Sequence, residues 1–286
     1  MEESLRISVE ENSGWDSRIQ CLKCGDLVRS YLIKTERFLL VYDTLLGPKS
    51  GGFLREEALR FADSRPLLVA NSHADWDHYF GNMMFPEPIL GTHAMVQRVT
   101  EGVGQKELAE KRNEHPECYE AVQLVPPSVA VGRDTVLHGG DLTIKLLLTR
   151  GHRPDHLAIF VPELSTLFPG DCVEDPIPLV DEDSDETSHT IEELSRSLQS
   201  FLELQPEWVL ANHAAPEKGV TRIESNLAYL KTLQSQALEA ESLDAHKKAQ
   251  PTDPSWDSFY QKAHLSHLRM ARQQMRSRPK TKWADD

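Results

Sequence analysis

Cysteine is scarce in this chain: four in 286 residues, at Cys21, Cys24, Cys118 and Cys172. So few and so scattered, they exclude a disulfide framework. Cys21 and Cys24 form one Cys-x-x-Cys with no second half; a structural zinc would need two further ligands nearby, and a redox pair a strand-to-helix setting. The plainer reading is two small residues on an early strand. Long apolar runs are also missing. No stretch approaches the roughly 20 residues that cross a bilayer, and Met1–Arg6 has neither the basic start nor the apolar core of a secretory signal. A cytoplasmic protein that does not enter a membrane is the expectation. Positive charge is short too, with 31 Lys and Arg against 45 Asp and Glu, a net charge of −14. An acidic body argues against nucleic acid as a partner, because phosphate backbones attract basic surfaces. Residues 245–286 run the other way, with nine Lys or Arg against four Asp, a balance of +5 that leaves −19 for the remainder. That tail reads as a solvated helical face.

What is present is the composition of an ordinary globular protein, 39% hydrophobic and 27% charged. The length suffices for one large domain or one domain with additions. Apolar runs bounded by polar turns predict strands at 27–33, 38–42, 66–70, 89–92, 128–131, 135–137, 142–148, 157–161, 165–168 and 208–211. Helical spacing predicts helices over 54–63, 93–100, 190–204, 221–249 and 255–278; residues 101–124 are charged and helix-permissive, and 181–186 form an acidic loop. Strands alternate with helices in two halves, and helices alone follow. We therefore expect a layered sheet-and-helix domain over residues 1–220 and a C-terminal helical extension over 221–286.

Four stretches end or follow predicted strands and carry metal-binding side chains: His73-Ala74-Asp75-Trp76-Asp77-His78, Gly151-His152, Gly170-Asp171 and Asn212-His213. Four of the six positions in the first stretch are potential ligands. A tight turn after a strand lets His73 and Asp75, and then Asp77 and His78, converge on neighbouring ions. Taken singly, each is an ordinary turn, cap or strand-end residue. Seven imidazoles and carboxylates at successive strand ends are much harder to assign to chance.

This pattern resembles the metallo-β-lactamase superfamily, whose signature is His-x-His-x-Asp-His followed by His, Asp and His. The similarity covers about residues 20–215. It implies a four-layer αβ/βα sandwich, an α/β fold, with metals at the rim of the two sheets. By the same resemblance His73, Asp75 and His152 would hold one ion and Asp77, His78 and His213 a second, with Asp171 bridging and Asp77 orienting the attacking water. The departure is Asp75, where the family has His. Asp remains a competent ligand for hard divalent ions. It adds a carboxylate, which should make the site less positive and raise the pKa of a bound water. Zinc is the first expectation for the two divalent ions, with iron or manganese as alternatives.

The function expected from this resemblance is a metal-dependent hydrolase that uses a bridging hydroxide on a small-molecule ester, thioester, lactone or phosphoester. One competing reading is a di-iron redox protein or sensor, because flavodiiron proteins carry a carboxylate at the position matching Asp75. Another is a non-catalytic metal-binding scaffold. The C-terminal helices are expected to cover the site or to pair two copies into a homodimer. Tyr79 and Arg153, each next to a ligand, are candidates for substrate contact. His93, His138 and His156 read as structural residues, and His115, His189, His246, His264 and His267 as surface groups.

Overall fold

The computed structural model describes residues 6–181, 190–242 and 256–277. The chain builds two sheets, the first with strands β1 to β7 in sequence order. These are β1 (Ile7–Val9), β2 (Ile19–Cys24), β3 (Val28–Lys34), β4 (Leu39–Tyr42), β5 (Leu67–Ala70), β6 (Ile89–Thr92) and β7 (Val129–Val131). β1 to β4 form an antiparallel meander, and β4 to β7 pair in parallel. The parallel part needs crossovers, which helix α1 (Pro48–Ala62) and, after the short α2 (Trp76–Tyr79), helices α3 (His93–Thr100), α4 (Val103–Glu114) and α5 (Pro116–Tyr119) accompany. The second sheet contains β8 (Thr135–His138), β9 (Thr143–Leu148), β10 (Leu157–Val161), β11 (Thr166–Phe168), β12 (Trp208–Val209) and β13 (Glu217–Lys218). Its spatial order is β13-β12-β11-β10-β9-β8. Helices α6 (Thr190–Glu203), α7 (Thr221–Ser242) and α8 (Ser258–Ser277) complete the described chain.

Three apolar layers hold these elements together. Leu32, Val41 and Val69 of the first sheet pack with Leu54, Ala58 and Val99 of α1 and α3. Tyr31, Leu40 and Tyr42 face Ile144, Leu157, Ile159 and Phe168 of the second sheet. The outer face of the second sheet, with Phe160 and Leu167, packs with Leu194, Leu198 and Phe201 of α6. Leu227, Leu230 and Leu233 of α7 and Leu268 of α8 lie in that same cluster. The result is the helix–sheet–sheet–helix sandwich expected from the sequence.

Most of the predicted elements are found. The strand expected over 208–211 is paired only at Trp208–Val209. β1 and β13 were not anticipated, and β2 only as an early strand carrying Cys21 and Cys24 without bounds, for a readable reason. β2 sits between two cores and is buried along nearly its whole length, so it shows no alternation of apolar and polar residues. β1 and β13 are three and two residues long. Cys21 and Cys24 are three apart on β2 and so face opposite sides of the sheet, one in the inter-sheet layer and one in the helix-side layer. Facing opposite sides of the sheet, the two sulfurs cannot act as a redox pair in this geometry.

Register brings the strand ends together. Tyr42 pairs with Ala70, so Asp43 and Asn71-Ser72-His73 leave the first sheet side by side. An isolated parallel bridge between Glu174 and His213 carries the β11–β12 pairing past the strand ends, so the Asp171 and His213 segments also run together. Leu230 of α7 is fully buried in the layer that α6 and the second sheet share. Leu230→Ala should therefore lower the stability of the sandwich by roughly 2–5 kcal/mol. Urea unfolding followed by tryptophan fluorescence checks this; an unchanged midpoint would show that α7 contributes nothing to that core.

Candidate metal centre

The first ligand segment follows β5. Asp75 ends the loop in an extended conformation, and α2 begins behind it, which sets Asp77 and His78 on its first turn. The Asp75 carboxylate makes no capping bond to that helix. Two glycines explain the next two segments. Gly151 and Gly170 have φ of 108° and 58°, in the left-handed region that favours glycine. A Cβ on Gly151 would come within 2.2 Å of Leu194 N, and one on Gly170 within 2.3 Å of His156 Nε2. Each Gly lets the backbone turn and press close to a neighbour just before His152 or Asp171.

All seven side chains named from the sequence converge. Asp171 Oδ2 is 3.0 Å from His78 Nε2 and 3.2 Å from His213 Nε2, and 3.6 Å from both His73 Nε2 and His152 Nε2. Asp75 Oδ2 lies 3.5 Å from His73 Nε2 and 3.8 Å from His152 Nε2. Asp77 Oδ2 lies 3.2 Å from His213 Nε2, and its Oδ1 3.6 Å from His78 Nε2. Four overlapping groups result among the described residues: His73 with Asp75 and His152, Asp77 with His78 and His213, and two through Asp171, with His73 and His78 and with His152 and Glu174. Asp171 stands between the first two. Its Oδ1 is buried and has no hydrogen-bond partner among the described residues.

Outer contacts aim the rings. Asp43, at φ 65°, accepts hydrogen bonds from Ser72 N (2.6 Å), Ser72 Oγ (2.7 Å), His78 Nδ1 (2.9 Å) and Asn212 Nδ2 (2.9 Å). With its proton on Nδ1, His78 presents the Nε2 lone pair to the site. His152 Nδ1 donates to Leu179 O at 3.2 Å, so its Nε2 is likewise a lone pair. That nitrogen sits 3.3 Å from His73 Nε2, and His73 Nδ1 is 2.9 Å from Ser72 Oγ. Ring nitrogens facing each other and a carboxylate at such distances repel unless positive charge lies between them. This donor set fits divalent cations.

The titration behaviour makes the same point. Burial alone would raise the Asp171 carboxyl, yet the His213 and His78 rings outweigh it and hold it well below the usual carboxylate range. Burial likewise opposes the charged form of His78, and Asp171, Asp77 and Asp43 overcome it and raise the ring well above its ordinary value. His213 is raised in the same way, chiefly by Asp171 against its burial. Burial pushes His152 down to about 3, so it stays neutral and available as a ligand. Protons thus supply positive charge that bound cations would otherwise provide.

Asp75 is ion-paired on both of its oxygens. Arg153 Nε lies 2.9 Å from its Oδ2, and Arg98 Nη2 3.2 Å from its Oδ1. Burial would raise the Asp75 carboxyl, and Arg153, His73 and Arg98 hold it well below the normal range. Two guanidinium groups therefore compensate this carboxylate in part, because Asp155 and Asp181 share them and three carboxylates face two cations. Arg98 also pairs with Asp155 at 2.8 Å, and Asp155 Oδ2 accepts from Ala74 N at 2.8 Å. Glu107 of α4, whose Oε1 is 3.4 Å from Trp76 N, connects the 101–124 segment to the same loop.

Sequence reasoning did not find Asp43, Arg98, Asp155 or Glu174. Asp43 follows a strand as the ligands do and had that signal; the others lie on a helix or in loops with no motif. Glu174 is buried, with Oε1 3.7 Å from His152 Nδ1, and burial followed by the Asp171 charge raises it to about 8. His156 is structural as expected, accepting from Asp171 N at 3.1 Å. His93 and His138 are exposed, because each stands at a strand end on the surface, and His264 and His267 are buried between α7, α8 and the segment before Asp181. His189 and His246 lie outside the described residues, as do 182–186 of the acidic loop. Tyr79 is buried in the helix-side core and does not line the site. Arg153 does.

The sequence model of the metallo-beta-lactamase superfamily matches residues 25–213, which include all seven side chains. This chain belongs to the metallo-beta-lactamase superfamily. A curated hydroxyacylglutathione hydrolase from Mesorhizobium japonicum is 26% identical over 147 residues, 51% of this chain and 51% of that protein. The chain thus spans about half the length of the curated relative it matches. Among solved structures, a metallo-beta-lactamase family protein from Thermus thermophilus is similar with a TM-score of 0.63 at 18% identity, covering 87% of this chain and 89% of that one. The inverting sec-alkylsulfatase Pisa1 from Pseudomonas sp. gives 0.66 at 18% identity, over 90% of this chain and 49% of that one. A beta-lactamase domain protein from Burkholderia ambifaria gives 0.66 at 16% identity, over 93% and 88%. At these identities the structures report the superfamily fold.

In this superfamily member Asp43 collects four donors at one buried carboxylate. Asp43→Asn turns one acceptor into a donor facing donors. It should cost roughly 2–3 kcal/mol in stability and weaken metal binding about 10–100-fold. Urea unfolding and chelator competition check this, and unchanged metal affinity would remove Asp43 from the support of His78.

Proposed function

We propose that this chain is a metal-dependent hydrolase with a dinuclear centre, acting on an ester or thioester that carries an anionic group. The observation that carries the reading is the approach of four imidazole nitrogens to one buried carboxylate oxygen, Asp171 Oδ2, at 3.0–3.6 Å. His73, Asp75 and His152 would hold one ion and Asp77, His78 and His213 the other, with Asp171 shared. Two divalent cations there would supply Lewis acidity and lower the pKa of a bound water from about 15.7 towards about 7. We assign zinc: four imidazoles with three carboxylates suit a borderline ion, and Arg98 and Arg153 compensate part of the additional negative charge at Asp75.

The chain's own groups divide the remaining work. Asp77 is buried, and although burial raises its carboxyl, His78 and His213 keep it below the ordinary value. It stays ionised at neutral pH and can accept a proton from a water that it also orients. Beside the first ligand group a cavity of about 470 Å³ opens, with Asp75, His152 and Arg153 on one side and Lys262 and Arg269 of α8 on the other. Lys262 and Arg269 are exposed. Cationic groups at this mouth, on a chain of net charge −14, favour a substrate with a carboxylate, phosphate or sulfate remote from the scissile bond. The name of the curated relative places hydroxyacylglutathione first among compounds to assay.

Metal analysis of protein purified without added metal should find close to two equivalents, with zinc predominating over iron. A chelator should abolish hydrolysis of the active members of an ester, thioester, lactone and phosphoester panel, and zinc should restore it. Asp77→Ala should lower kcat by about 10²–10⁴-fold at zinc concentrations that keep both ions bound, and should weaken the equivalent that His78 and His213 would hold. Activity indifferent to both treatments would exclude the reading, and an iron-dominated protein with an oxygen-sensitive absorption band would favour the di-iron alternative. Lys262→Glu with Arg269→Glu should raise KM roughly tenfold for an anionic ester at low salt and leave a neutral ester unaffected.

A further inference from the structure

Residues 174–181 carry the outer support of His152. Leu179 O accepts from His152 Nδ1 at 3.2 Å, and Glu174 Oε1 lies 3.7 Å from that nitrogen while accepting from Leu179 N at 3.2 Å. Asp181 N donates to Gly151 O at 3.0 Å, and the Asp181 carboxylate pairs with Arg153 at 2.9 Å. The segment is gripped in turn by both C-terminal helices. At its start Asn226 of α7 accepts from Glu174 N and donates to Glu174 O, each at 3.0 Å. Near its end Val180 N donates to Nε2 of His267 of α8 at 3.3 Å, and the His267 ring is fully buried.

The neighbours of His267 make it an acceptor there. An accepting Nε2 requires the proton on Nδ1, which then donates to Tyr229 Oη at 3.0 Å. The Tyr229 hydroxyl in turn donates to His264 Nδ1 at 3.1 Å. Every proton in the row has one place, so the tautomer that holds Val180 N is the one its partners enforce.

We infer that His267 is a positioning residue for one half of the metal centre: by holding Val180 N it fixes Leu179 O, and through it the His152 ring that faces His73 and Asp75. This rests on the dinuclear reading above. The effect should be confined to the half built on His73, Asp75 and His152. The other half, Asp77, His78 and His213, is supported by Asp43 and Asn212 and by the bridge between Glu174 and His213, none of which passes through Val180.

The test is a zinc titration of the full-length, metal-stripped protein against a competing chromophoric chelator. The parent should take up two equivalents. His267→Ala should weaken one equivalent about 10–100-fold and leave the other within about twofold, with the circular dichroism spectrum unchanged. His267→Gln, whose amide oxygen can accept from Val180 N, should recover most of the loss. Three results overturn the inference: unchanged binding in His267→Ala, equal weakening of both equivalents, or a Gln variant no better than Ala. A parent that binds a single equivalent overturns the dinuclear reading itself, and that result is visible before any substitution is made.

Discussion

A buried carboxylate with four imidazole nitrogens within 3.6 Å is stable only where positive charge lies among them. Asp171 cannot be solvated at its depth in the rim, and the lone pairs of His78 and His152 are turned towards it by their outer partners. Without counter-charge this arrangement stores repulsion; with protons or cations in it, the same arrangement is a binding site. The rest of the rim follows from that requirement. Asp43 and Leu179 O hold Nδ1 protons so that Nε2 is free, and Gly151 and Gly170 let two ligand segments approach more closely than a side chain would allow. Orientation is fixed before any ion arrives, which lowers the cost of binding one.

Position 75 carries Asp where the superfamily usually has His. A bare extra carboxylate would weaken the polarisation of water and favour harder ions. Arg98 and Arg153 reach its two oxygens from α3 and from the residue after His152, so the added charge is ion-paired where it arises and compensated in part. The arrangement also links the loops. Arg98 connects Asp75 to Asp155, and Arg153 connects Asp75 to Asp181, so the position at which the family has one imidazole here joins three segments.

Much of this was legible from residue order, and the limits have physical causes. The seven candidate ligands could be read because each terminates or follows a strand, and strand ends in a layered α/β fold point into the same rim. Asp43 obeys that rule but stands outside any repeated motif, so nothing in the linear chain separated it from a turn residue. Arg98 and Asp155 are 57 residues apart, and their meeting depends on helix packing that periodicity does not specify. β2 was read only as an early strand without bounds, because a strand buried on both faces loses the alternation that marks its extent. His264 and His267 looked like surface groups on a charged helix. They are buried because α8 packs against α7 and the segment preceding Asp181, a tertiary fact with no local signature.

The C-terminal helices complete this reasoning. α7 and α8 share an apolar layer with α6 and the second sheet, and their polar side chains reach the segment between Asp171 and Asp181 at both ends. α8 also presents Lys262 and Arg269 to the cavity beside Asp75 and His152. A single helix therefore helps to position one ligand group and shapes what can approach it. Displacement of α8 as a whole should alter metal affinity and substrate charge preference together, because both depend on the placement of α8 against the 174–181 segment.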